Sequence, residues 1–164
     1  MDVEHARVPE AQSEPSAARF RAGATGTWPF VPGVDGAMHD ASQVPVDADG
    51  SHDHIALDAT VGRIAVESPV HNGSVEFVFD RKVLPHILLW RHFGPPGTPW
   101  GGDVFSAEVA SVPGRSLADP GAREALRAIP PGECFKWRMS AAWKKHSEPA
   151  DLRGSRPMKV EPIR

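Results

Sequence analysis

An all-β fold, an antiparallel β-sandwich, is the class this chain predicts, and three observations predict it. Gly and Pro are frequent, 15 and 17 among 164 residues, and they interrupt the sequence too often for long helices. Hydrophobic residues make up 40% of the chain and charged ones 24%, so enough apolar material is present to bury a core. Between the breaks, short stretches alternate apolar and polar residues, the period of a half-buried strand. The length suits one domain.

Residues 1–26 are rich in Ala, Glu, Pro and Ser without a sustained period, and are expected to form a flexible N-terminal arm. Residues 147–164 carry three prolines and mixed charge and are expected to form a flexible C-terminal tail. The sandwich domain is therefore expected over residues 27–146. In its first part, Pro29 and Pro32 around Phe30 and Val31 restrict the segment to an edge or loop. Short strands follow at 53–58 and 62–67. The sequence His71-Asn72-Gly73-Ser74 then reads as a turn, because Asn-Gly readily takes positive φ, and 74–80 alternates Val75, Phe77 and Phe79 against Glu76 and Asp80. That is the clearest hairpin in the chain.

The unbroken run Ile87-Leu88-Leu89-Trp90 inside 84–93 reads as a strand covered on both faces, and 103–111 alternates again. Residues 119–129 are the one short helical candidate, with Ala122, Leu126 and Ile129 on one face. After a Pro131-Gly132-Glu133 turn, 134–143 is expected as the last strand, with Phe135, Trp137, Met139 and Ala141 sharing a face.

Several function classes lose support at this level. The net charge is −3, and no basic stripe interleaves with aromatics, which argues against nucleic acid. No apolar run approaches the roughly 20 residues that span a bilayer, and the polar, acidic N-terminus has no leader pattern, so no membrane partner is expected. The single cysteine, Cys134, forms no internal disulfide and suits a reducing compartment. A cytoplasmic location is the expectation, with no cofactor.

Three groups of residues could carry chemistry. Glu108 sits mid-strand, and alternation places it with small Ser106 and Ala110 rather than with Phe105 and Val109. A carboxylate on the floor of a groove, partly desolvated, can serve as general base or acid; a solvent-facing strand residue is the plainer alternative. His52 and His54 flank Asp53, so two imidazoles would face one side and the carboxylate the other. They are either polar residues opening a strand or a binding cluster; a third metal ligand is not identifiable from spacing, and no metal is expected. Among five tryptophans, Trp100 in a glycine- and proline-rich loop is the candidate platform for a ligand's apolar face.

Taken in order, these segments resemble the C-terminal half of the galactose mutarotase (aldose 1-epimerase) family. His52-Asp53-His54-Ile55-Ala56-Leu57 is similar to a strand in which an aspartate beside a histidine binds sugar hydroxyls. Residues 63–80 resemble the paired strands leading to the family's groove, and Leu84-Pro85-His86-Ile87-Leu88-Leu89-Trp90 resembles an apolar strand ending in an aromatic. Phe105-Ser106-Ala107-Glu108-Val109 looks like the segment of the catalytic glutamate. Leu126, Ile129-Pro130-Pro131-Gly132-Glu133 and Trp137 are similar to the closing turn and final strand. A proline usually follows the family's glutamate, where Val109 stands here, and the family's catalytic histidine and sugar-binding arginine belong to an N-terminal half with no counterpart in this sequence.

The resemblance implies a galactose mutarotase-like supersandwich, present in part. It implies a monosaccharide or sugar derivative as partner, and an isomerase interconverting anomers by acid/base ring opening. Glu108 would be the base, Asp53 would bind hydroxyls, and His54 and Trp100 would line the site. A non-catalytic sugar-binding module is the alternative; a metal-dependent β-barrel enzyme using His52 and His54 is the third reading. Half a sandwich leaves an apolar face and strand edges uncovered, so a homo-oligomer is also expected. The sugar readings share one geometric expectation, that Asp53 and Glu108 converge on one cavity.

Overall fold

The computed structural model of the chain describes residues 5–10, 15–58, 61–97, 102–112, 128–146 and 158–161. Twelve strands run through them in chain order: β1 (His5–Arg7), β2 (Thr25–Thr27), β3 (Phe30–Pro32), β4 (Met38–Asp40), β5 (Gln43–Val44), β6 (His52–Asp58), β7 (Arg63–Ser68), β8 (Gly73–Phe79), β9 (His86–Phe93), β10 (Phe105–Val112), β11 (Met139–Lys145) and β12 (Met158–Glu161). The helical content of the described residues is a single 3-10 turn, Pro15–Ala17. A seven-stranded sheet has the order β10-β9-β6-β1-β2-β3-β4, and a five-stranded sheet the order β11-β8-β7-β12-β5. Every ladder is antiparallel, so the expected all-β antiparallel sandwich is what the chain forms.

Alternation along β6 and β9 explains how the sheets meet. Ile55 pairs with Leu89 and Leu57 with Ile87, and all four are fully or almost fully buried. They join Ile64 and Phe79 of the five-stranded sheet, with Val66 and Phe77 packed against them, in one core between the layers. Burial of each such side chain contributes roughly 1.5–3 kcal/mol, so this inner face is the main source of stability. The even-numbered residues of β6 and β9 consequently lie on the side of the sheet away from this core, with His52 opposite His92, His54 opposite Trp90, Ala56 opposite Leu88 and Asp58 opposite His86, although His52, Ala56 and His92 are themselves buried.

The β7–β8 hairpin forms where the Asn-Gly signal put it. Asn72 takes the left-handed conformation at φ 49°, while Gly73 already opens β8. Glycine is needed at 73 for another reason: the Trp143 indole and the Lys144 carbonyl occupy the space a Cβ would fill.

Three expectations are corrected. The N-terminal segment is not a loose arm where it is described, because β1 is inserted between β6 and β2, and Ala6, Val8 and Phe20 are fully buried. Likewise, β12 in the expected C-terminal tail lies between β7 and β5. Both are short strands ordered by distant partners, and three or four residues are too few to show a period. The last expected strand begins five residues later, at Met139, since Met139 pairs with Phe79 and β8 offers no backbone beyond that residue. The helical candidate at 119–129 lies outside the described residues except for its last two, which have no regular structure.

Candidate functional site

The outer face of the seven-stranded sheet carries an aromatic and imidazole cluster where β6 and β9 pair. His54 and Trp90 are opposite each other, and their rings stack at 6.3 Å between centroids with planes 15° apart. His52 lies two residues along β6, its ring 5.3 Å from His54 and 4.9 Å from His92. The indole Nε1 of Trp90 donates a hydrogen bond to Nε2 of His52 at 2.6 Å. An indole can only donate, so His52 accepts with a lone pair, and its ring is neutral with the proton on Nδ1.

The electrostatics agree with that geometry. Burial, reinforced by the neighbouring imidazoles of His54 and His92, pulls the pKa of His52 down to about 4. Burial also lowers that of His54. At neutral pH both rings are therefore uncharged. A half-buried His54 and Trp90 give the face an apolar platform edged by hydrogen-bonding nitrogens, suited to a ligand with one flat apolar side and polar edges. Among the described residues no group of three or more His, Cys, Asp or Glu is arranged to hold a metal ion.

The backbone register of β10 relates position 108 to this cluster. Glu108 is opposite Trp90, which is opposite His54, so the three positions form one row across β10, β9 and β6. Ser106 is opposite His92, in the row that ends at His52. Asp53 belongs to the alternate set, opposite Arg91, which is opposite Ala107. Successive rows alternate between the two faces of a sheet. Asp53 therefore faces the interior and the row of Glu108 the exterior, and the two do not converge on one cavity.

What Asp53 does instead is visible in its contacts. It is fully buried, and Oδ1 accepts hydrogen bonds from the backbone N–H of Arg19 at 2.9 Å and of Phe20 at 3.0 Å. The opposing Arg91 is 2% exposed, with its guanidinium carbon 5.3 Å from the Phe20 ring centroid and 5.1 Å from that of Phe93. Arg91 donates to the carbonyl oxygens of Ala41 and Gln43 at 2.9 and 3.0 Å. Burial raises the pKa of Asp53, against the opposing pull of the two N–H donors and the Arg91 charge, and lowers that of Arg91 to about 10. Asp53 thus fastens the segment before β2 to the sheet, and Arg91 fastens the β4–β5 turn and the start of β5. Both are structural devices.

Of the five residues singled out by sequence, His52, His54 and the position of Glu108 share a face, Asp53 is withdrawn into the core, and Trp100 lies outside the described residues. Trp90 and His92 were missed. Their signal was present, since His86, Leu88, Trp90 and His92 alternate with Ile87, Leu89, Arg91 and Phe93, but the continuous apolar run at its centre hid the period.

Among the described residues, no helix is long and apolar enough to cross a membrane. No family model, curated protein or solved structure matches this chain, so its assignment rests on the fold and on this outward-facing cluster.

Proposed function

We propose that the chain binds a sugar on the outer face of the seven-stranded sheet, with His54 and Trp90 at the centre of the site. The observation that carries this reading is the stacked His54–Trp90 pair, half-buried on the sheet's outward side. A pyranose ring has a flat C–H face that packs on an indole, while neutral imidazole nitrogens can donate to or accept from its hydroxyls. This site differs from the one the family resemblance implied, since Asp53 and Glu108 occupy alternate rows of the sheet and do not meet.

Binding is favoured over catalysis by the state of the imidazoles. Ring opening needs one group to take the anomeric proton and another to protonate the ring oxygen. Glu108 has the right chemistry for the first, but burial lowers the pKa of His54, so its ring carries little of the proton that a general acid must donate at neutral pH. Epimerisation remains the second reading, on the observation that His54 and Glu108 occupy the same row on adjoining strands.

One pair of measurements tests both. Calorimetric titration with glucose and galactose should give binding to the wild-type chain and a loss of at least tenfold in Trp90→Ala and His54→Ala, with circular dichroism unchanged. Polarimetry on freshly dissolved α-anomer should show mutarotation no faster than buffer. A rate gain abolished by Glu108→Gln would promote the isomerase reading, and absence of any saccharide binding would end the first.

A further inference from the structure

The outer face continues past β6 over β1 to β4, and there it opens a groove of about 470 Å³ lined by His5, Thr25, Gly26, Thr27, Phe30 and Met38. Its volume falls in the range of about 300–1,000 Å³ typical of ligand sites. Register explains the lining. His5 is opposite Thr27 and Thr27 is opposite Phe30, so an imidazole, a hydroxyl and a phenyl ring stand in one row over three strands.

Phe30 and Met38 are 51% and 55% exposed, although the residue between the core and this surface on β3, Val31, is fully buried. The core therefore does not require the two outward apolar side chains. Among the described residues no Lys or Arg lines the groove, which disfavours a phosphate or carboxylate ligand. An exposed ring flanked by two hydroxyls and an imidazole has the composition expected for stacking on a second sugar ring and bonding to its hydroxyls.

The two sites lie on the same side of the seven-stranded sheet. Between them run Arg7, opposite Ala56 on one side and Thr25 on the other, and Leu88 opposite Ala56. With strands about 4.8 Å apart and residues rising about 3.4 Å, Phe30 is on the order of 20 Å from His54. A single sugar ring does not cover that span.

We infer that the ligand is an extended glycan crossing the outer face, with one unit on His54 and Trp90 and another in the groove over Phe30. The inference rests on the sugar-binding reading and adds the size of the ligand and a second subsite.

The test compares hexoses with chains of the same sugars: glucose and galactose against maltotetraose, cellotetraose and β-1,4-galactotetraose, titrated calorimetrically into the wild-type chain, Phe30→Ala and Thr27→Val. Both substitutions alter outward residues, and the milder Thr27→Val guards against misfolding of the first. At least one tetrasaccharide should bind the wild type tenfold or more tightly than its hexose, and that ratio should fall about fivefold or more in Phe30→Ala and to a lesser extent in Thr27→Val. Equal affinities for hexose and tetrasaccharide, or a ratio unmoved by both variants, would overturn the second subsite while leaving the His54–Trp90 site standing. No binding of any saccharide would instead sink the sugar reading itself.

Discussion

His52 is the residue whose protonation should be felt most strongly. Its folded-state pKa of about 4 lies below the ordinary 6.5, so it stabilises the fold above pH 6.5, and that contribution is lost as pH falls through 4. The shift corresponds to at most about 3 kcal/mol. Protonation also removes the lone pair that accepts the Trp90 indole N–H. Asp53 has the opposite sign, because its raised pKa gives a contribution present below the unfolded value of 3.8 and lost as pH rises through the folded one. Urea unfolding measured from pH 7.5 to 4 should therefore show the wild type losing more stability than His52→Gln, whose amide can still accept from Trp90. Equal pH dependence in the two would contradict the buried, neutral state of His52.

Asp53 and Arg91 make the second residue-scale prediction. Asp53→Ala strips two backbone N–H groups of their acceptor and leaves a buried guanidinium without its facing carboxylate. A loss of about 1–3 kcal/mol in unfolding free energy is expected for each N–H group left without its acceptor. If Asp53 instead met ligand, the variant would keep its stability and lose affinity. Sequence could not distinguish these roles. The His-Asp-His alternation correctly separated Asp53 from His52 and His54, but only the pairing of Asp53 with Arg91, 38 positions away, shows which face is the interior. His54 was legible because alternation alone puts it opposite to Ile55. Trp90 was obscured by its apolar neighbours.

At the scale of elements, what was legible depended on the range of the contacts. The β7–β8 hairpin is local, so its turn residues and alternation sufficed. β1 has three residues and is held between β6 and β2, one partner some 50 positions away; neither composition nor period marks such a strand. Its placement carries a direct prediction. Val8, just past β1, is fully buried in the core, so Val8→Asp should prevent cooperative folding or lower the thermal midpoint by well over 10 °C. A circular dichroism melt matching wild type would restore the picture of a loose N-terminal arm. The five-stranded sheet shows a related division: Glu76 on β8 accepts from Lys144 of β11 at 2.5 Å and from Arg63 of β7 at 3.3 Å, joining three strands across its outward side.

For the molecule as a whole, the two faces of the seven-stranded sheet divide the labour. The inward rows build the core and hold the buried Asp53 and Arg91, while the outward rows carry the His54–Trp90 cluster, the position of Glu108 and the groove at Phe30. The proposed binding site thus lies on the side of the sheet away from the core, where His54 and Trp90 are half-buried while His52 and His92 are buried. Backbone amide shifts recorded during titration with glucose or galactose test this most directly. The perturbed amides should centre on residues 52–54 and 88–92, and Trp90→Ala should abolish the response. Shifts confined to the five-stranded sheet, or a spectrum unchanged by every sugar, would contradict it.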